Sequence, residues 1–252
     1  MGTGGLLQTL YPLPGDAVQL KLNSVVTKID TSSSSNKVIV YVKGSATPYE
    51  ADAVIVTVSL GVLQHGDIAF TPSLPPAFTR ALSHRGLGKV EKVVATWATK
   101  WWPAAAWQFD YMNASAPFSL VYDRTRMNGG TPMLIAFLTE GVDSFAGRTD
   151  AQLVDVLVQQ LRTMFPGVTV PTPVAWKCAR WVQNPLFRGA WSYNRVGIDP
   201  PTDFPALQQG STWRLQFAGE HTDPHRFGTL FGAWESGQRA ASAVVRGLRS
   251  LG

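Results

Sequence analysis

Residues 214–248 read RLQFAGEHTDPHRFGTLFGAWESGQRAASAVVRGL: a short apolar strand, a glycine-studded turn and an amphipathic helix in direct succession. Leu215, Phe217 and Ala218 form the strand end, and Gly219 and Gly228 permit the tight backbone that follows. From Thr229 onward Leu230, Ala233, Trp234, Gly237, Ala240, Ala241, Val244, Val245 and Leu248 recur at helical spacing. Glu235, Gln238, Arg239, Ser242 and Arg246 fall on the other face. One side of the helix is rich in small residues, which allows close approach to a sheet or a flat ligand. A strand that ends in glycine and feeds a helix presents free backbone N–H groups and the positive end of the dipole to an electron-rich ligand. Glu220, just past the strand, is an acceptor suited to a sugar-like hydroxyl. A terminal helix that only caps a sheet accounts for the same residues.

Working outward from this stretch, the first part of the chain reads as extended structure. Gly4–Leu10 precedes an alternation of Val18, Leu20 and Leu22, and LNSVVTKID (22–30) and KVIVYVK (37–43) pair as a hairpin across TSSSSN. EADAVIVTV (50–58) is apolar on both faces, as a buried parallel strand is. A short helix is expected from Pro76 to about Arg85. The strand beginning at KVEKVVATW (89–97) places Val90, Lys92, Val94, Thr96 and Ala98 on one face. A lysine there either snorkels to solvent or is buried, with its proton affinity lowered. FSLVYD (118–123) and TPMLIAFLTE (131–140) are two further strands around the turn RMNGG, and 149–165 is a packing helix stopped by Pro166 and Gly167. Trp176, Trp181, Phe187, Trp191 and Tyr193 crowd into one segment, with Trp191 and Tyr193 on the same side. They fit core packing or a wall that attracts a cation and excludes water around an amine. GIDPPTDFPAL (197–207) reads as a proline-rich link.

With 252 residues, 45% of them hydrophobic, the chain can bury a substantial core as one large domain or two modest ones. The one cysteine, Cys178, leaves no internal disulfide and no thiolate-rich metal site. His65, His84, His221 and His225 have no zinc-like spacing, so no metal is expected. The net charge of +5 comes from dispersed Lys and Arg rather than a basic run, so no nucleic-acid contact is expected. No apolar stretch reaches the length of a membrane span, and MGTGGLLQTL lacks the features of a secretory signal. These features favour a soluble cytoplasmic or peroxisomal chain over a secreted one; they leave compartment and oligomeric state open.

FAGEHT (217–222), followed by GT, GA, SG and RAA, resembles the closing flavin-contacting segment of the flavin-dependent amine oxidases, the group containing polyamine oxidases, monoamine oxidases and lysine-specific histone demethylases. The likeness extends over YEADAVIVTVSLGVL (49–63), LGKVEKVVATWATKWWP (87–103) and RWVQNPLFRGAWSY (180–193), although Ser59 stands where the family usually has proline. The resemblance implies a mixed α/β (α+β) fold: a partial FAD-binding Rossmann-like domain in two segments, 1–65 and 205–252, and a mixed-sheet substrate domain flanked by helices at 66–204. It implies FAD as cofactor, with Val26, Thr57, Val58, Trp181, Gly219, Glu220, Gly228, Thr229 and Leu230 contacting it. Lys92 would hold a water near flavin N5, with Lys89 as the fallback. Trp191 would be the aromatic wall that guides the amine, and Tyr193 and Thr229 would also line the substrate.

No GxGxxG occurs, so by this likeness the chain corresponds to the C-terminal half, or somewhat more, of such an enzyme. The implied activity is oxidation of a polyamine-type amine. Hydride passes to flavin N5 and oxygen is reduced to hydrogen peroxide. An inactive remnant acting as a binding or regulatory module, or a demethylase-type domain, is the alternative.

Overall fold

The structure is a computed structural model and describes residues 18–112, 116–139 and 141–251. Gly4–Leu10 lies outside the described residues. Four sheets carry the fold. β1 (Val26–Asp30) and β2 (Val38–Val42) form the antiparallel hairpin expected across the serine turn; β3 (Tyr49–Ala51) extends it on one side and β5 (Ala69–Thr71) pairs parallel to β1 on the other. β4 (Val54–Val56) pairs in parallel with β13 (Leu215–Phe217). β6 (Arg85–Leu87) pairs antiparallel with β12 (Ser192–Asn194). The largest sheet is antiparallel throughout, in the order β11 (Ala175–Ala179), β7 (Glu91–Thr96), β10 (Met133–Leu138), β9 (Phe118–Asp123), β8 (Gln108–Asp110). The helices are α1 (Leu60–His65), α2 (Pro76–Ser83), α3 (Asp150–Met164), α4 (Pro200–Ala206) and α5 (Leu230–Arg249).

Two hydrophobic cores follow. One lies between the five-stranded sheet and α3, where Val93, Ala95, Phe118, Val121, Leu134, Ala136 and Leu138 meet Leu153, Leu157 and Leu161. Trp97, Trp101 and Trp102 close it edge to face, with centroids 5.2–5.7 Å apart. α3 starts at a capping box in which Thr149 Oγ1 accepts from Gln152 N and the Gln152 side chain accepts from Thr149 N, satisfying donors that the first turn leaves free. Each leucine fully buried on its inner face contributes roughly 1.5–3 kcal/mol. The second core joins Ile29, Val38, Val56, Val62, Ile68, Phe78, Leu207, Leu215 and Phe217.

Several expectations are corrected. Val18, Leu20 and Leu22 are exposed and outside any strand, because no neighbouring strand among the described residues takes up their backbone groups. The 50–58 stretch is not one buried strand: it breaks between β3 and β4, and Ile55 is 36% exposed on the outer side of a two-stranded ribbon. α2 ends at Ser83, so Arg85 begins a strand. The proline-rich link contains α4, whose Pro200 and Pro201 occupy the first turn, where a proline costs no hydrogen bond.

The buried stripe of α5 also differs from the expected apolar one. Gly232, Ser236, Ala240 and Gly247 face inward, while Leu230, Trp234, Val245 and Leu248 are at least 40% exposed. Arg239, expected on the polar face, is half-buried and donates to Phe217 O and Thr222 Oγ1. Close approach selects the small residues: a Cβ on Gly232 would lie 2.3 Å from Arg226 O, and one on Gly247 would lie 2.2 Å from the Trp213 ring.

Candidate functional site

The turn between β13 and α5 is tied down by one carboxylate of its own. Glu220 opens a 3-10 turn (Glu220–Thr222) directly after Gly219. Its Oε1 accepts from Ser192 N at 3.0 Å, and its Oε2 accepts from Ser192 Oγ at 2.6 Å and from Gly228 N at 2.5 Å. One side chain therefore joins β12, which Trp191 immediately precedes and whose middle residue is Tyr193, to the residue that precedes the cap of α5. Behind Ser192 stands Arg85, fully buried: its Nη2 donates to Ser192 Oγ at 2.5 Å, and its guanidinium lies 4.9 Å and 4.7 Å from the rings of Phe204 and Phe227. A guanidinium between two aromatic faces is a favourable way to bury that cation.

Buried His221 completes the junction, and its Nε2 has no partner among the described residues. Its pKa is pushed down to about 4 by burial first and by the charges of Arg85 and Arg239, against Glu220, so the ring is neutral at pH 7. An unfolded chain takes up this proton near 6.5 and the folded one not until about 4, so protonation favours unfolding across that window. Stability should fall as pH drops from 6.5 toward 4, by at most ~1.4 kcal/mol per pH unit. Denaturant midpoints at pH 7 and pH 5 check this, and the share lost in His221→Gln is the contribution of this ring.

At the head of α5 the Thr229 side chain accepts from Gly232 N. Gly228, Thr229, Leu230 and Phe231 are all exposed, so the remaining N–H groups of the first turn of this 20-residue helix face outward. Gly228 has φ +73°, and a Cβ there would lie 3.6 Å from Trp191 Cδ1 and from Ser192 O. Trp191 thus stands against the turn with 44% of its surface exposed, and Tyr193 shares that side at 46%. Both leave buried Ser192 between them, so core packing does not account for them. The Tyr193 ring lies flat on Gly86, where a Cβ would come within 2.2 Å of it.

Trp191 is also bonded, through its backbone, to the segment that precedes the strand carrying the lysine. Gly88 N donates to Trp191 O at 2.7 Å, and Gly88 O accepts from Ala190 N at 2.9 Å. Gly88 leads directly into β7, where Lys92 lies on the more open face. The Lys92 Nζ is 4.6 Å from the ring centroid of Phe137, its cross-strand partner, and 4.6 Å from that of Trp181. No carboxylate pairs with Lys92 among the described residues; burial alone lowers its pKa. Lys89, the fallback, is bonded to Asp143 at an exposed site.

Gly219, Glu220, Gly228, Thr229, Leu230 and Trp191 converge on one junction, with Tyr193 beside Trp191. Val26 and Val58 instead pack against the second core, and Thr57 is exposed just past β4. Ser59, where proline was noted as usual, caps α1: its Oγ accepts from Val62 N and donates to Phe187 O.

Sequence reasoning missed Glu91, Arg85, Ser192 and His221. Glu91 is 1% exposed, and its carboxylate accepts from Trp181 N at 2.8 Å and Val182 N at 3.1 Å. Its signal was available, since it shares a face with Val93 and Ala95, both fully buried.

A dinucleotide-type cofactor fits what is present. The open helix N-terminus suits an electron-rich group, the glycine turn admits close approach, and an exposed indole stands beside both. Among the described residues no cluster of His, Cys, Asp and Glu could hold a metal, and no helix is long and apolar enough to cross a membrane.

Comparison with known proteins agrees with this architecture. A family model described as flavin containing amine oxidoreductase matches residues 1–245. The chain is 30% identical over 223 residues to lysine-specific histone demethylase 1 homolog 2 of Arabidopsis thaliana, covering 86% of this chain and 30% of that protein. It is 31% identical over 234 residues to probable polyamine oxidase 4 of the same plant, covering 91% and 45% respectively. Among solved structures, a cyclohexylamine oxidase from Brevibacterium oxydans superposes with a TM-score of 0.71 at 19% identity, over 89% of this chain and 48% of that one. A putrescine oxidase double mutant gives 0.72 at 22%, over 96% and 51%. The chain thus spans half or less of the length of most of these relatives, and the structural matches speak for the fold.

Proposed function

From the premise that this chain belongs to the flavin containing amine oxidoreductase family, we propose that it is the part of an FAD-dependent amine oxidase that carries the amine-facing wall and the closing cofactor segment, acting on polyamine-type substrates. The observation that carries this reading is the junction in which Trp191 stands exposed against Gly228 at the head of α5, with Glu220 bonded both to Ser192 on β12 and to Gly228 before the helix. A bound flavin would supply the two-electron oxidation of the carbon–nitrogen bond and pass the electrons to oxygen.

The chain's own residues divide the remaining work. Thr229 and Leu230 present N–H groups and the helix dipole to the anionic edge of the cofactor, while Gly228, its own N–H taken by Glu220, keeps the turn bare of side chain. Gly219 and Glu220 shape that turn; the side chains of Val26 and Val58 pack into the second core, so only their backbone, with Thr57 and Trp181, would be left to contact the remainder of the cofactor. Trp191, with Tyr193 and Thr229, orients the amine by its ring face, which attracts the cationic form during encounter and excludes water afterwards. Lys92 holds a water and a proton close to the reacting centre. One aromatic wall facing Gly228 and Thr229 leaves room for an extended chain, which favours a polyamine over a small arylamine.

A second reading, oxidation of a methylated lysine side chain, is favoured by the several histone demethylase homologs among the relatives. One experiment separates them: FAD is added to the purified protein, and peroxide release is measured with spermine, a simple monoamine and a methyl-lysine peptide. Spermine is expected to give the highest kcat/KM. In Trp191→Ala the KM for spermine should rise about 2–30-fold with flavin binding unchanged. A preference for the peptide selects the demethylase reading, and colourless protein selects a binding module.

A further inference from the structure

We propose that Glu91 is a positioning residue for Lys92, holding the Trp181 indole over the ammonium by fixing the backbone of the turn that carries it. The ladder between β7 and β11 ends at the pair Lys92 and Ala179. Beyond it the chain turns away at Arg180, and the next two amides have no strand to bond. Glu91 supplies the acceptors: Trp181 N donates to one carboxylate oxygen at 2.8 Å and Val182 N to the other at 3.1 Å. The fork thus extends the sheet by side chain where its backbone pairing stops.

A carboxylate with 1% exposure needs compensation for lost hydration. Burial pushes its pKa upward, and the N–H donors of this turn pull against that. The nearby cation, Arg180, is itself bonded to Asp150 at 2.8 and 3.0 Å. The turn is therefore the main solvation of Glu91, and Glu91 fixes the turn.

What the turn holds is the Trp181 ring. Lys92 points to the opposite face of β7 from Glu91 and has two aromatic neighbours, Phe137 on β10 and Trp181 on the turn, each 4.6 Å from Nζ. Phe137 is set by strand register; Trp181 has no such ladder and depends on the fork. If the fork opens, one wall of the ammonium site is lost and water enters.

Any consequence for oxygen chemistry rests on the amine oxidase reading of Lys92, but the test does not. The intact, flavin-free chain is acetylated with limiting acetic anhydride across a pH series. The peptide containing Lys92 is quantified by mass spectrometry against exposed Lys177. Glu91→Gln should shift the pH midpoint of Lys92 labelling upward toward that of Lys177, as should Trp181→Ala, with circular dichroism unchanged. Simple removal of a negative charge would move the midpoint the other way, because it disfavours the ammonium. Glu91→Asp keeps the charge but is too short to reach both amides, so it should also shift the midpoint upward; this arm stands even if Glu91→Gln does not fold. The proposal is overturned if Glu91→Gln lowers the midpoint, if Glu91→Asp leaves it unchanged, or if Trp181→Ala has no effect.

Discussion

Replacing Lys92 by methionine in a flavin-loaded form of the protein should slow reoxidation by oxygen on the order of 10²-fold or more, while the flavin stays bound. The Lys92 ammonium sits between Phe137 and Trp181 without a carboxylate partner among the described residues, and burial lowers its pKa. A solvated surface lysine does neither. Methionine matches the stem and packs well against aromatic edges, so the cage and the β7 strand should survive. What disappears is a charge, a proton and a hydrogen-bonding head for a water. The loss should therefore fall on the oxygen half-reaction, measured by mixing reduced enzyme with oxygen in stopped flow, and spare reduction by amine. Oxygen kinetics equal to wild type would remove Lys92 from the chemistry and leave it as a packing residue. A variant that loses flavin altogether would mean instead that the cage supports the cofactor side of the site.

How much of this was legible beforehand depends on where each residue finds its partners. Helix α3 was readable because its signals are local: Thr149 and Gln152 bond each other three residues apart, and Pro166 and Gly167 stop the helix. The head of α5 was readable for the same reason, since the cap Thr229 bonds Gly232. The inward stripe of that helix was not, because hydrophobicity selects Leu230 and Trp234 while the packing distance to Arg226 and Trp213 selects Gly232 and Gly247. Alternation correctly put Lys92 with Val94 and Thr96 but could not say which face of β7 is core, so Glu91 went unnoticed. Arg85 was hidden twice, by its place beside a helix end and by partners more than a hundred residues away: Ser192, Phe204 and Phe227. The site residues on the terminal turn were legible as a cluster. The carboxylate that ties them to Ser192 was legible only as an acceptor.

Glu220→Ala should lower the stability of the fold by about 3 kcal/mol, because it removes three hydrogen bonds to a half-buried carboxylate and takes away the negative charge near buried Arg85. For a chain of this size that corresponds to a melting point lower by roughly 10 °C. Three donors lose their acceptor at once: the amide and hydroxyl of Ser192 and the amide of Gly228. Hydrogen bonds to a charged group are worth about 1.5–3 kcal/mol each, and their loss is not additive, since the freed corner can relax and admit water. Behind them Arg85, fully buried, keeps two nitrogens without partners among the described residues, Nε and Nη1, and loses a negative charge that offsets its burial. Ser192→Ala removes one hydroxyl that both accepts from Arg85 and donates to Glu220, but leaves the two backbone bonds to Glu220 intact. It should therefore cost clearly less, and the double variant should cost less than the sum, because both changes cut the same chain of contacts. Thermal unfolding of the four proteins closes this cycle. A Glu220→Ala protein that melts within a degree or two of wild type would show that the corner is held by α5 packing alone. The carboxylate would then be free to serve a ligand instead of the fold.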